Sequence, residues 1–263
     1  MTQLPSVDLR GLRALVTGGA TGIGLAITEA LMAHGAGVHA CGTKADALDS
    51  AKAALPGLGV SVADITQETQ VRQLFADIEQ RWGGLDILVN NAGIAGPTAD
   101  IEDVTLADWQ QCLDVNLTGT FLCTQSAVRW MKQQRSGSII NIGSVASRLG
   151  FPRRSPYSAT KYGVIGLTET WAAELGPHGI RVNAILPGIV EGPRQERVLT
   201  ASAEAAGVPL EQMRAQVLQR VSLRRTVSAS EIGATTVFLC SPAAVSITGQ
   251  SLSVDGNVET LVR

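Results

Sequence analysis

The chain has 263 residues, of which 45% are hydrophobic and 17% are charged, as is typical of a compact globular protein. Aromatic residues make up 4% and the formal net charge is −2, which argues against nucleic-acid binding. The N-terminus lacks the apolar segment of a signal peptide, and no apolar run reaches the roughly 18 residues that a membrane span needs. We therefore expect a cytoplasmic protein with no nucleic-acid partner and no membrane partner.

Short runs rich in β-branched residues predict strands, and longer segments of helical period separate them. The predicted strands are Ala14–Thr17, Val38–Cys41, Val60–Val62, Ile87–Val89, Ser138–Ile142, Val182–Leu186 and Ser251–Val254. The predicted helices are Ile23–His34, Gln70–Trp82, Ala107–Gln134, Tyr157–Leu175 and Ser230–Leu239. This alternation predicts an α/β fold of the doubly wound Rossmann type, in which helices cover both faces of a parallel seven-stranded sheet.

Residues 188–225 break this alternation, because they contain Gly-Pro-type breakers and a polar helical pattern but no predicted strand. Long insertions in compact domains usually carry function, so we expect this excursion to form a lid over the substrate. No flexible linker divides the sequence. We therefore expect residues 1–263 to form a single dinucleotide-binding and catalytic domain.

The four cysteines are scattered through apolar runs without a C-x-x-C pair, and the three histidines have no metal-ligand spacing. Buried free thiols are the simplest interpretation of such cysteines. We expect no metal site.

A glycine-rich run, TGGATGIG at 17–24, follows the first predicted strand and opens the first predicted helix. Glycines at such a turn let the backbone approach a pyrophosphate, and the helix N-terminus offers N–H groups and a partial positive charge. The spacing is looser than G-x-G-x-x-G, so a tight crossover without a ligand is the alternative.

The second predicted strand ends in Cys41-Gly42-Thr43-Lys44, where a carboxylate would bind the ribose 2′-hydroxyl of NAD. No carboxylate is present, and Thr43 and Lys44 can donate to a phosphate instead. The sequence therefore favours NADP, with NAD as the alternative. Lys44 taken by itself could equally be a solvated lysine at a helix start.

Tyr157 and Lys161 are four residues apart on a predicted helix and so share one face of it. An ammonium group beside a tyrosine favours the phenolate and makes the phenol useful as an acid or base near neutral pH. Ser144 follows the fifth predicted strand, at the sheet edge where ligands bind in open parallel sheets. Its hydroxyl could hold a substrate oxygen for Tyr157 to protonate.

Asn116 interrupts an otherwise apolar helical segment, where asparagine is unfavourable unless its side chain has a specific partner. A structural kink held by a side-chain bond is the alternative to a functional role. Asn90 and Asn91 follow the fourth predicted strand, and for both we weigh structural support equally against cofactor contact.

These motifs together resemble the short-chain dehydrogenase/reductase family, in its compact form of roughly 250 residues. The resemblance covers essentially the whole chain. It rests on TGGATGIG at 17–24, Asp64, NNAG at 90–93, Asn116, Ser144, Tyr157 with Lys161, Asn183 with Pro187-Gly188, and Val254-Asp255-Gly256.

The resemblance implies hydride transfer between a nicotinamide cofactor and a carbonyl or secondary alcohol. Tyr157 would be the acid/base, Ser144 would orient the substrate carbonyl, Lys161 would favour the phenolate and hold the nicotinamide ribose, and Asn116 would support a water in a proton relay. The cofactor-binding set would be Gly18, Thr21, Gly22, Ile23, Gly24, Thr43, Lys44, Asp64, Ile65, Asn91, Ala92, Gly93, Tyr157, Lys161, Pro187, Gly188 and Val190. Relatives of this form are usually homotetramers that pair the two long helices. The chain departs from the family pattern at one place. Many relatives carry a threonine or serine a few residues after the Pro-Gly pair to hold the nicotinamide carboxamide, whereas this chain reads Ile189-Val190-Glu191-Gly192 there.

Positions near the expected substrate site include Val145, Arg153, Arg154, Glu191 and Arg194. The three arginines could bind a carboxylate or phosphate, which favours a polar or anionic substrate. Subunit contacts or solvent exposure would explain them equally well. A nucleotide-sugar epimerase or dehydratase and a non-catalytic dinucleotide sensor are the alternative functions.

Overall fold

One parallel sheet runs through the computed structural model, which describes residues 7–259 apart from the side chains of residues 193, 194, 201, 202 and 205. Its strands are β1 Arg13–Thr17, β2 Gly37–Gly42, β3 Gly59–Val62, β4 Ile87–Asn90, β5 Gly137–Ile142, β6 Ile180–Pro187 and β7 Ser251–Val254. The strand order is β3-β2-β1-β4-β5-β6-β7. The fold class and all seven predicted strands are confirmed, each within two residues of its predicted ends.

Helices alternate with these strands. They are α1 Gly22–Ala33, α2 Ala45–Ala54, α3 Glu68–Trp82, α4 Leu106–Leu113, α5 Gly119–Gln134, α6 Ser155–Leu175, α7 Pro193–Ala206, α8 Leu210–Leu218 and α9 Ala229–Cys240. Their ends follow local chemistry. Gly83 ends α3 in the left-handed conformation, with φ 67°, and Ser228 and Glu231 form a capping box at the start of α9.

The helical segment predicted over Ala107–Gln134 is confirmed, and it contains a π-helical turn that was not predicted. The segment divides into α4 and α5, and Asp114–Thr118 between them forms a π-helical turn. Such turns insert one extra residue into a helix and often occur at functional sites. Helix α2 was not predicted, because only Leu48 and Ala51 of its ten residues are buried and the apolar period is short.

Two apolar layers lie on opposite faces of the sheet. One layer packs α1, α2 and α9 against it, through residues such as Ile27, Leu48 and Ile232. The other packs α3, α5 and α6, through residues such as Leu74 and Cys123. The strands are therefore buried on both faces, which explains their nearly unbroken apolar sequences. Within the part of the chain that the structure describes, no helix could span a membrane.

A chain of buried polar side chains crosses the second layer. Asn90 Nδ2 donates to Thr124 Oγ1 of α5, at 3.0 Å, and to Asn141 Oδ1 of β5, at 2.9 Å. Asn141 Nδ2 donates to Thr168 Oγ1 of α6, at 2.9 Å. This polar ladder, formed by Thr124, Asn90, Asn141 and Thr168, fixes α5 and α6 against adjacent strands. It supports the structural interpretation of Asn90.

The strand order reverses between β1 and β4, so the connections from these two strands run to opposite sides of the sheet. A crevice therefore opens at their carboxyl ends, which is the ordinary ligand position in a doubly wound fold. The glycine-rich run follows β1, and residues 91–96 follow β4. Both segments predicted to carry the site lie at this crevice.

Residues 188–225 contain α7 and α8, which share a small apolar cluster of their own around Leu199, Ala203 and Met213. We predicted no strand here, and none forms in the described residues, but two single bridges do. Val190 pairs with Val227 and Val221 pairs with Val258, so both ends of the excursion are tied to the rest of the fold.

Candidate active site

The turn from β1 into α1 presents a backbone cradle. Gly18 has φ +62° and Gly22 has φ +52°, conformations that favour glycine. A side chain at Gly24 would overlap the Gly18 carbonyl oxygen, whereas one at Gly22 would meet nothing within 4 Å. The turn is therefore open to a ligand at Gly22, whereas at Gly24 it packs directly against the backbone of Gly18.

The start of α1 fits an anionic ligand. Thr21 is the N-cap residue but makes no side-chain cap, and the first turn contains no acidic residue. The first N–H groups of a helix have no partner within the helix and carry a partial positive charge. Thr21 and Gly22 are exposed and Ile23 is half-buried. A pyrophosphate therefore fits the observed cradle.

Asn91 and Thr17 hold this cradle against the end of β4. Asn91 Nδ2 donates to the carbonyl oxygens of Thr17 and Gly18, at 2.9 and 3.2 Å. Thr17 Oγ1 accepts the backbone N–H groups of Asn91 and Ala92, both at 3.0 Å. Asn91 therefore supports the cradle, and its contact with a cofactor stays a prediction. The part of Thr17 was not found in the sequence, because an apolar strand ending in threonine gives no distinctive signal.

Thr43 and Lys44 are exposed where β2 ends, on the side of β1 away from β4. Lys44 is the N-cap residue of α2 and makes no side-chain cap. Asp64 follows β3, and its Oδ1 accepts the N–H and hydroxyl of Thr66. Ile65 is buried and packs against Gly119, so it holds the segment after β3 against the start of α5.

Ser144 lies just beyond β5 and begins a short 3₁₀ turn at Val145–Ser147. Its Oγ accepts the N–H of Ala146 at 3.1 Å, while its own N–H donates to Ser147 Oγ at 3.2 Å. Because Oγ acts as an acceptor toward the backbone, the hydroxyl hydrogen can point toward a ligand. Val145, predicted to contact substrate, is buried with Val221 and Val258 beside the excursion.

Tyr157 and Lys161 lie on the first two turns of α6, as the spacing predicted. The helix begins two residues earlier than predicted, at Ser155, with Pro156 in its first turn. Lys161 is 6% exposed, its Nζ donates to the Ile142 carbonyl at 2.8 Å, and it lies 5.7 Å from the centre of the Tyr157 ring. The ammonium group is therefore fixed between the end of β5 and the half-buried tyrosine.

Asn116 lies in the π-helical turn and is 2% exposed. Its Oδ1 accepts the N–H of Ile94 at 2.8 Å, and its Nδ2 donates to the Ile94 carbonyl and to Thr160 Oγ1, both at 3.0 Å. A side chain at Gly93 would meet Asn116 Oδ1 at 3.1 Å and Lys161 Nζ at 3.7 Å. Asn116 therefore joins the segment after β4 to α6, close to the lysine.

Residues 187–191 border the same edge. Pro187 ends β6, and a side chain at Gly188 would meet Asp255 Cα at 2.6 Å, so this approach to the end of β7 requires glycine. Val190 pairs with Val227. Glu191 is exposed, and its Oε1 accepts the hydroxyl of Thr226 at 2.6 Å. This contact ties Glu191 to the base of the excursion.

Two arginines of the predicted anion-binding set engage neighbouring protein groups. Arg154 donates to Thr98 Oγ1 and to the Ala95 carbonyl, both at 2.9 Å, and lies 5.5 Å from the centre of the Tyr157 ring. Arg153 instead forms a half-exposed ion pair with Asp100, at 3.4 Å. The side chain of Arg194 lies outside the described residues. Arg154 thus acts as a clamp between the segment after β4 and Tyr157.

The four cysteines are free and buried, as predicted. Burial raises the pKa of Cys41 and that of Cys240 to about 12, so neither thiol is a nucleophile at neutral pH. Cys112 lies beside the site, and burial raises its pKa, with Thr160 and Lys161 acting in the opposite direction. The Cys112 thiol is therefore a weaker acid than an ordinary cysteine.

The family described as Enoyl-(Acyl carrier protein) reductase matches residues 18–258. The 3-oxoacyl-[acyl-carrier-protein] reductase of Thermotoga maritima is 38% identical over 256 residues, which cover 95% of this chain and 98% of that protein.

Two solved structures are similar over nearly their whole length. An NAD⁺-bound xylitol dehydrogenase is 31% identical with a TM-score of 0.90, covering 94% of this chain and 99% of that one. An actinorhodin polyketide ketoreductase with NADPH is also 31% identical with a TM-score of 0.90, covering 97% and 99%.

Oxidoreduction at a carbonyl or alcohol carbon with a nicotinamide cofactor is the activity of such relatives. This chain is therefore an NAD(P)-dependent oxidoreductase and belongs to the short-chain dehydrogenase/reductase family.

Proposed function

We propose that the protein is an NADPH-dependent reductase of polar 3-oxoacyl compounds, with Tyr157 as the proton donor. The observation that carries this proposal is the placement of Lys161 Nζ, which is bonded to the Ile142 carbonyl and lies 5.7 Å from the Tyr157 ring. The Ile142 carbonyl is two residues before Ser144, so the tyrosine, the lysine and the serine converge at the end of β5.

The bound nicotinamide would supply the hydride to the carbonyl carbon. Ser144 donates its hydroxyl hydrogen to the substrate oxygen and orients it, since its Oγ already accepts from Ala146. Tyr157 delivers a proton to the same oxygen as negative charge develops there. Lys161, as a buried ammonium group, stabilises the phenolate that remains.

Charge supports the choice of NADPH over NADH. The end of β2 offers an exposed hydroxyl and an exposed ammonium group, Thr43 and Lys44, and no carboxylate follows directly. A 2′-phosphate would gain two donors there, and the first carboxylate in sequence, Asp46, lies two residues further on in α2. The preference for NADPH over NADH rests on these charges alone. Titrating the protein with each nucleotide separately tests it.

Relatives suggest the substrate class. The Thermotoga protein is by its name a 3-oxoacyl reductase, and the polyketide enzyme is a ketoreductase. Arg153 and Arg154 already engage protein acceptors, so they give little support to a fully anionic substrate. The names of these relatives therefore favour a polar oxo compound that carries its carbonyl two bonds from a thioester.

Replacing Tyr157 tests the proton donor directly. We expect Tyr157→Phe to lower turnover of acetoacetyl-N-acetylcysteamine with NADPH by about 10³-fold or more, while nicotinamide fluorescence still reports cofactor binding. Tyr162→Phe is the matched control, because Tyr162 is 48% exposed on the same helix. Full activity of Tyr157→Phe would refute the assignment.

A panel of substrates tests the class. Acetoacetyl-N-acetylcysteamine, acetoacetate and an apolar ketone of similar size are compared with the wild-type enzyme. Turnover of the apolar ketone faster than either 3-oxo compound would refute the polar 3-oxoacyl proposal. Faster turnover of acetoacetate would restore the anionic alternative.

Replacing Lys44 tests the phosphate site. We expect Lys44→Ala to weaken NADPH binding about tenfold and to leave NADH binding within about twofold. Lys52→Ala on the exposed face of α2 is the control for a general change in charge. Equal losses for both nucleotides would refute the role of Lys44.

The remaining assignments are part of this proposal. We infer one catalytic domain, a substrate lid formed by residues 188–225, a cytoplasmic location and a homotetramer that pairs α5 and α6. Sedimentation equilibrium tests the oligomeric state. Epimerase, dehydratase and sensor functions are not favoured, because the similar proteins are reductases and dehydrogenases of the same length.

A further inference from the structure

Thr160 is the residue between the proposed proton donor and its lysine, and its side chain is completely buried. Its hydroxyl donates to the Tyr157 carbonyl at 2.8 Å and accepts from Asn116 Nδ2 at 3.0 Å. One oxygen atom therefore connects the first turn of α6 to the π-helical turn.

We propose that Thr160 is a positioning residue that fixes Lys161 and Tyr157 for proton transfer through its hydroxyl bond to Asn116. This inference rests on the proposed roles of Tyr157 and Lys161. Thr160 touches neither the reacting atoms nor the cofactor cradle, so it would act only through its neighbours.

The connection reaches the segment after β4 as well. Asn116 uses its remaining polar atoms on the backbone N–H and carbonyl of Ile94. Asn116 Oδ1 and Lys161 Nζ both lie near Gly93. They are 3.1 and 3.7 Å from the position that a Cβ atom at residue 93 would occupy. Residues 93–94, the π-helical turn and α6 therefore meet around one buried amide.

Removing the Thr160 hydroxyl would leave one N–H of this amide without a good acceptor. The nearest alternative is Cys112 Sγ, at 3.4 Å from Asn116 Nδ2, and a thiol sulfur is a weak acceptor. A buried donor without a partner is costly, so we expect the amide to reorient. Its reorientation would shift residues 93–94, which Asn116 binds and which lie beside the Lys161 ammonium group.

Thr168, two turns further along α6, offers a matched control. It is also completely buried, it donates to the Val164 carbonyl at 2.7 Å, and it accepts Asn141 Nδ2 at 2.9 Å. The two threonines thus make the same pair of bonds, and only Thr160 makes its pair beside Lys161. A purely structural effect should be equal at both positions.

The experiment compares Thr160→Val, Thr160→Ser, Thr168→Val and the wild type, with acetoacetyl-N-acetylcysteamine and NADPH as probes. We expect Thr160→Val to lower kcat about tenfold, with KM for the thioester changed less than about twofold. Its pH–rate profile for kcat should also differ from that of the wild type, because Lys161 and Tyr157 no longer keep their relative positions. Thr160→Ser should restore both values, and Thr168→Val should change neither.

Equal kinetics and equal pH profiles for Thr160→Val and Thr168→Val would overturn the proposal. Circular dichroism and thermal melting establish that each variant is folded. Should Thr160→Val fail to fold, Thr160→Ala compared with Thr160→Ser provides the same contrast. A fully active Tyr157→Phe would instead overturn the underlying assignment of the proton donor, so the two failures are distinguishable.

Discussion

His39 makes the stability of this fold depend on pH in a calculable way. It lies in β2, 4% exposed, with Nε2 2.9 Å from Ser61 Oγ. Because Ser61 donates its own hydrogen to Asp77 at 2.8 Å, the histidine must donate from Nε2. Its Nδ1 is buried and has no hydrogen-bond partner in residues 7–259. Protonation would therefore place a new charge at the unpartnered nitrogen.

Burial, together with the positive charge of Arg81, lowers the pKa of His39 from its ordinary 6.5 to about 4, although Asp77 acts in the opposite direction. The folded-state value lies below the unfolded one, so the unfolded chain binds the proton first as pH falls. The stabilisation is thus complete above pH 6.5 and is lost between pH 6.5 and 4. From these two values, acidification from pH 7 to 5 costs about 2 kcal/mol of unfolding free energy.

Urea unfolding at pH 7 and pH 5, at one fixed protein concentration, measures this loss. We compare the wild type with His39→Gln, whose amide can retain the bond to Ser61, and with His34→Gln, which changes an exposed histidine. The carboxylates contribute equally to all three proteins. We expect His39→Gln to lose about 2 kcal/mol less than the other two on acidification. Equal losses in all three would refute the reasoning.

Two further predictions concern the cradle. Gly24→Ala would force a Cβ atom into the Gly18 carbonyl, so we expect cofactor binding, measured by fluorescence titration, to weaken about tenfold or more. The control Gly166→Ala, at an exposed glycine of α6, should bind the cofactor normally. Thr17→Val would deprive two backbone N–H groups, including that of Asn91, of their acceptor, and urea unfolding should show a loss of about 1–3 kcal/mol. Normal binding by Gly24→Ala, or unchanged stability of Thr17→Val, would contradict these expectations.

The sheet could be predicted because parallel strands buried on both faces leave an apolar signature, as in the run ILVN that ends at Asn90. Turn chemistry also has local causes, and the capping box of Ser228 and Glu231 is visible in the sequence alone. Helix α2 could not be predicted, because its few buried residues give too weak a period.

The residues of the candidate site were found because their types are unusual where they occur, such as Asn116 within an apolar segment. Their partners were not found. The acceptors of Arg154 are Thr98 and the Ala95 carbonyl, which lie more than 50 residues away in sequence. Residue type suggested an anion-binding group, but it could not show that the Arg154 guanidinium group also joins the segment after β4 to α6. Likewise, the asparagine does not reveal that the backbone around it forms a π-helical turn.

The polar ladder beneath α5 and α6 has a consequence for how the chain selects its native state. Apolar side chains tolerate many packings of a helix on a sheet at similar free energy. Sliding α5 or α6 by one turn would separate Thr124 from Asn90, or Thr168 from Asn141, and leave buried amides unpaired. The ladder therefore penalises misregistered packings more strongly than it stabilises the correct one.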